Sequence, residues 1–123
     1  MSFTDDIIRR SIARPTGDPA KDAALHILAE KLPDTPDNTM LRRATFAWIN
    51  FYTANIGDRE HIPGYQMSME NSAKTMLAAF KAEGRFHEGV IIRKEIKTAM
   101  DTAPAKETEN GRAGEKVIYL GRG

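Results

Sequence analysis

Residues 46–52, Phe-Ala-Trp-Ile-Asn-Phe-Tyr, form the most apolar stretch of the chain, because six of these seven side chains are apolar or aromatic. The stretch contains Trp48, the only tryptophan of the sequence. It lies within a helical pattern of about 18 residues, and a helix that is apolar on every side is normally surrounded by other elements. We therefore expect this helix to be buried almost all round and to form the centre of the fold.

The composition is typical of one globular domain. The chain has 123 residues, of which 41% are hydrophobic and 28% are charged, and this length suffices for a single domain with its own core. The absence of cysteine excludes disulfides and thiolate metal sites. A net charge of +1 does not favour nucleic acid as a partner, although it leaves nucleic acid possible.

The sequence also bears on membranes and targeting. No apolar run approaches the roughly 18 residues that a bilayer-spanning helix requires. The first residues, Met-Ser-Phe-Thr-Asp-Asp, lack the basic and apolar regions of a secretory signal. We therefore expect a cytoplasmic protein without a membrane partner.

Helical patterns, with capping residues before them and glycine or proline after them, extend from Thr4 to about residue 102. The predicted helices run from Thr4 to Pro15, from Pro19 to about Lys31, from Thr35 or Asp37 to about Asn55, from Ser68 to Gly84 and from about Glu88 to Asp101. The residues expected in the core are Leu41, Ala44, Trp48, Ile49, Phe51, Tyr52, Leu77, Phe80, Ile92 and Ile96.

The end of the chain differs in composition from the rest. Residues 102–114 are small, polar and charged, which is typical of a flexible linker. A short β-type run follows, and a lone strand has no ladder partner for its backbone groups. We expect this run to bind a partner protein or a second copy, or to fold back on its own domain. Its residues are Val117, Ile118, Tyr119 and Leu120.

These patterns predict a mostly α protein, in which residues 1–102 form a single compact domain of four to five helices. Residues 103–123 form a flexible linker and a tethered C-terminal β-type segment. Our leading hypothesis for function is a small non-enzymatic interaction protein that binds a macromolecular partner or itself through a helical face and this C-terminal arm.

Residues 58–66 form a possible small-ligand site. This loop gathers charged, imidazole and aromatic groups beside the end of the aromatic helix, and binding residues concentrate on such loops. The alternative is a surface crossover between two helices, pinned to the core by Ile62 and Tyr65. The residues that would line a cleft are Tyr52, Arg59, His61 and Tyr65.

Residues 69–101 are compatible with a helix-turn-helix DNA-binding regulator, because a short glycine-containing turn separates two helices. Arg93, Lys94 and Lys97 would then face phosphates. Large Phe80 opposes this interpretation, since such a unit needs a small residue there, and Gly89 weakens the start of the second helix.

No catalytic or metal chemistry is predicted. His26 and Glu30 are spaced to share one helix face, but no third ligand accompanies them. The sequence contains no phosphate-binding glycine loop and no nucleophile motif. We therefore expect no cofactor, no metal and no enzymatic activity.

Overall fold

The computed structural model describes residues 3–55 and 65–104, for residues 55 and 65–69 in their backbone only. Within these ranges the chain forms five α-helices and no strand, so the prediction of a mostly α fold is confirmed there. The elements are α1 (Phe3–Ala13), α2 (Pro19–Lys31), a 3₁₀-helix (Pro36–Asn38), α3 (Thr39–Asn55), α4 (Tyr65–Ala82) and α5 (Phe86–Thr102). The predicted arm at residues 117–120 lies outside the described residues and stays a prediction.

The start of α2 follows from two adjacent residues. The Asp18 side chain accepts hydrogen bonds from the backbone N–H groups of Ala20 and Lys21, at 3.1 and 3.4 Å. These donors have no partner inside a helix, and Pro19 at the first helical position loses nothing by lacking an N–H. The predicted beginning of this helix is confirmed.

The other four helix starts differ from the prediction, and the smallest difference is that α1 begins at Phe3 and not at Thr4. The 3₁₀-helix occupies the residues after Thr35, so α3 begins only at Thr39. Helix α4 begins at Tyr65, so the predicted start at Ser68 is wrong; residues 65–67 contain no helix breaker. Helix α5 begins at Phe86, where Arg85 forms an ion pair of 2.7 Å with Glu88 in the first turn.

Four helices surround one core. Helix α2 packs against α3 and α5, and α4 packs against the same two helices, so the four form a closed bundle. Helix α1 packs on the outside, against α2 and α3. Side chains from all five helices are buried: Ile8, Ala20, Ala24, Leu25, Leu28, Leu32, Leu41, Phe46, Trp48, Ile49, Tyr52, Ala73, Met76, Phe80, Ile92, Ile96 and Met100.

The central helix is not buried all round, which corrects the expectation from its composition. Trp48 and Tyr52 lie in the core with ring centroids 6.0 Å apart. Phe51 is 37% exposed, and Ala44 and Leu77 are only half-buried. Among the described residues, α1, α2 and α4 supply most of the packing against α3, and one of its sides stays exposed.

Helices α4 and α5 approach each other closely at Phe80 and Gly89. Phe80 is fully buried, and a Cβ added at Gly89 would lie 2.5 to 2.9 Å from its side-chain carbons. Gly84, in the turn between the helices, has φ of +74°, a conformation that glycine adopts without strain. This helix contact therefore does have a small residue. It is Gly89 on α5, whereas the sequence led us to look for it at the position of Phe80 on α4.

Candidate functional site

The outward side of α3 is apolar and exposed. Met40 is 56% exposed, Phe51 is 37% exposed, and Ala47 and Ala54 are also exposed. At about 100° per residue these four side chains fall within an arc of roughly 60°. A surface helix normally carries charged or polar residues on the side away from the core, but none of these four is charged or polar. We call the four residues the α3 arc.

One flank of the α3 arc carries a neutralised charge. Arg43 donates hydrogen bonds to both carboxylate oxygens of Asp5, from Nε at 3.0 Å and from Nη2 at 2.9 Å. These hydrogen bonds raise the pKa of the Arg43 guanidinium above its usual range.

The α3 arc was not predicted from the sequence, because the whole apolar stretch of this helix was expected in the core. Only Phe51 of its four residues was considered there, as a core residue. The informative pattern was the absence of any charged residue from residue 44 to residue 55, which leaves no polar side for solvent. Such a helix either is enclosed within its own chain or offers an apolar face to another.

The structure connects one residue of the proposed ligand site with one of the proposed DNA-binding residues. The Tyr52 hydroxyl donates a hydrogen bond to Asp101 Oδ1, and Lys97 Nζ lies 2.8 Å from Asp101 Oδ2. This contact joins the end of α3 to the end of α5. Tyr52 and Lys97 therefore both have a structural role that the sequence did not reveal.

We expect the Tyr52→Phe variant to lower the free energy of unfolding by about 1–2 kcal/mol, because it removes a hydrogen bond to a carboxylate and keeps the ring. Urea denaturation followed by circular dichroism measures the change. Thr98→Ala, at an exposed position of α5, is the control and should change stability by less than about 0.5 kcal/mol. Equal stabilities of Tyr52→Phe and the wild type would show that the hydrogen bond contributes nothing to folding.

The other residues of the proposed ligand site are only partly described. Tyr65 is the first residue of α4, and Arg59 and His61 lie outside the described residues. The ligand-site hypothesis stays a prediction.

The proposed DNA-binding residues have different environments. Lys94 is exposed, whereas Arg93 is half-buried and its Nε is enclosed without a hydrogen-bond partner. Lys97 is ion-paired with Asp101. A phosphate-binding surface needs several exposed cations side by side. Of these three residues, only Lys94 is both exposed and outside a described ion pair. The DNA-binding hypothesis stays a prediction that these placements do not strengthen.

A second feature absent from the sequence analysis is buried Arg42. Its Nη1 donates a hydrogen bond of 2.8 Å to the carbonyl oxygen of Leu32, just after α2. A cation at the C-terminal end of a helix is favourable because it faces unsatisfied carbonyl groups. A cavity of about 370 Å³ lies beside it, lined also by Arg9 and Asp34. Arg9 donates hydrogen bonds to Asp34 and lowers the pKa of that carboxyl group, so these two charges are paired with each other.

Among the described residues there is no group of three histidine, aspartate or glutamate side chains that could hold a metal ion. None of the helices in that part of the chain combines the length and apolarity needed to cross a bilayer. No protein-family model matches the chain, and searches of curated proteins and of solved structures find no match.

Proposed function

We propose that this chain is a small, non-enzymatic, cytoplasmic interaction protein that binds a macromolecule, either a partner protein or a second copy of itself. The observation that carries the proposal is the α3 arc, an exposed and uncharged strip on the best-buried helix of the bundle. Exposed apolar surface costs free energy in water, and covering it by a partner recovers that free energy.

The dimensions of the α3 arc fit this role. From residue 40 to residue 54 a helix advances about 21 Å, which is enough for the i to i+7 anchor spacing of a helix-in-groove contact. Met40 and Phe51 are large anchors, and the alanines between them let a second backbone approach closely. The bundle behind the arc fixes the backbone of both anchors, so the conformational entropy lost on binding is mainly that of their side chains.

The C-terminal arm is the second part of the proposal. Val117, Ile118, Tyr119 and Leu120 form an apolar run after a polar linker, and such a run can add to a sheet edge or fill a groove. Binding through two contacts on one chain raises the overall affinity, because the second contact forms at a high effective concentration.

The experiment compares three forms of the full-length chain: the wild type, Ala47→Glu and Ala78→Glu. Ala47 is in the α3 arc, and Ala78 is an exposed alanine of α4, so both variants add the same charge to an exposed helix. Affinity capture from the native host and mass by light scattering are measured for each. We expect a specific partner or a second copy to be retained by the wild type and Ala78→Glu but lost by Ala47→Glu, because a carboxylate cannot be buried unpaired.

Equal retention by all three forms would overturn the role of the α3 arc. A fourth form that ends at residue 102 tests the arm separately. It keeps all five helices, so we expect an unchanged helical circular-dichroism signal together with weaker capture or a smaller mass. Unchanged capture and mass would overturn the role of the arm.

A further inference from the structure

We infer that the partner of the α3 arc is a second copy of this chain, with the two α3 helices antiparallel and crossing at Ala47. The inference rests on the proposed function, since it names what covers the same face. It is argued from the spacing of large and small residues, from the charges at the flank, and from the symmetry that two identical chains require.

The side chains of the α3 arc are complementary to themselves in size. In an antiparallel pair centred on Ala47, residue 40 of one copy lies opposite residue 54 of the other. Met40 then packs over an alanine at each end, and Phe51 packs beside Ala44, which is half-buried on the same flank. Large side chains over small ones fill the space between two helices without voids.

A parallel arrangement of the same helices packs less well. Each residue would then face its own counterpart, so Met40 would meet Met40 and Phe51 would meet Phe51. The alanines at residues 47 and 54 would also face each other, and the large pairs would hold the helices too far apart for the small pairs to touch. Gaps of this kind lose dispersion contacts and cost free energy.

Charge is compatible with the antiparallel pair. The same flank of both copies meets across a two-fold axis, which places the two Arg43 side chains at a separation of about 12 Å along the helices. That distance exceeds the Debye length at physiological ionic strength. Each Arg43 is also neutralised by Asp5 of its own chain, and the net charge of +1 per chain produces little repulsion.

The structure also indicates that the pair is weak. A single helix contact buries less than the roughly 800 Å² per chain that is usual for stable complexes. Phe51 already interacts with residues of its own chain and contributes only its exposed part. We expect a dissociation constant on the order of 10 to 1,000 µM, with an average mass that rises with concentration over that range.

Cysteine variants test the geometry directly, because the natural chain has no cysteine. Two cysteines form a disulfide only when their Cα atoms lie within about 7 Å of each other. In the antiparallel pair, Ala47→Cys therefore links to itself under mild oxidation, and Ala54→Cys does not. An equal mixture of Ala54→Cys and Met40→Cys gives the mixed dimer. Ala78→Cys, at the exposed position on α4, measures random collision.

We expect Ala47→Cys to form linked dimer at least roughly tenfold faster than Ala78→Cys, because the helix contact raises the effective concentration of one thiol near the other. Self-linking of Ala54→Cys at that rate would overturn the antiparallel arrangement. Equal slow rates for every variant, with a monomer mass for the wild type at about 1 mM, would overturn self-pairing.

The same measurements separate the inference from the proposed function. A monomeric chain whose capture of another protein is lost in Ala47→Glu refutes the second copy as partner and supports the binding role of the face. A monomeric chain whose capture is unaffected by Ala47→Glu refutes both. Hydrogen exchange of the α3 backbone amides, measured with and without residues 105–123, tests whether the chain covers this face itself. Protection of these amides that is lost when residues 105–123 are removed would show that it does, and would overturn the inference.

Discussion

Replacement of Phe80 by alanine is expected to lower the free energy of unfolding by about 3–5 kcal/mol. Phe80 is fully buried where α4 meets α5, and it is the largest of the completely enclosed side chains. The loss combines the transfer free energy of the ring with the cost of the cavity left behind. A domain of this size has only about 5–15 kcal/mol of stability in total, so the variant would be partly unfolded at moderate temperature.

Phe86→Ala is the matched control, because Phe86 is the same residue type, six positions along the chain, and is 48% exposed. We expect it to change the free energy of unfolding by less than about 1 kcal/mol. Chemical denaturation of both variants, followed by circular dichroism at 222 nm in the helical band, measures the difference. Similar losses for the two variants would mean that the contact between α4 and α5 is not where the structure places it.

Replacement of Gly89 by alanine is expected to lower the free energy of unfolding by about 1–3 kcal/mol, although alanine is the better helix former by about 1 kcal/mol. The added methyl group would lie 2.5 Å from the ring carbon Cγ of Phe80. Phe80 is enclosed and cannot rotate away, so α5 must move outward from α4. The cost of this movement exceeds the gain in helix propensity.

Two further variants identify the mechanism. Thr98→Ala, on the exposed side of α5, gives the gain in propensity without the clash and should be neutral or slightly stabilising. In the background of Phe80→Leu, which removes part of the ring, Gly89→Ala should be less costly than in the wild type. The double-mutant cycle measures this coupling. Additive effects of the two substitutions would exclude a direct clash between the two residues.

Features that depend on neighbouring residues could be predicted from the sequence. Asp18 with Pro19 sets the start of α2, and Gly84 lies just after the fourth helix, as predicted, with a φ of +74°. A cap or a glycine acts on the backbone within a few residues, so the sequence alone contains the whole cause. The helical architecture and seven of the ten residues expected in the core followed from such local patterns.

Features that depend on contacts between helices could not be predicted. Trp48 and Phe51 belong to one apolar stretch, yet only the first is buried, because the neighbours of α3 cover some of its sides and not another. Gly89 looked like a weakness of α5 until Phe80 was found against it. The role of Arg42 likewise depends on the end of α2, ten residues earlier in the chain.

The α3 arc could not be predicted from the sequence for the same reason: it too depends on how the helices pack. The C-terminal run and the 58–66 loop were predicted as candidate sites because their unusual composition can be read directly from the sequence. The α3 arc became visible only when the inward residues of that helix had been assigned to the bundle. An apolar helix has no polar side by which its exposed face could be recognised in advance.

The enclosed indole of Trp48 gives this protein a built-in optical probe. Because it is the single tryptophan and its ring lies 6.0 Å from that of Tyr52, its emission reports on the interior of the bundle alone. On the same helix, Trp48 lies about 90° from the middle of the α3 arc and is buried. Loss of the fold would therefore shift the fluorescence, whereas association through that arc would leave the emission wavelength unchanged, and the two processes can be followed separately in one sample.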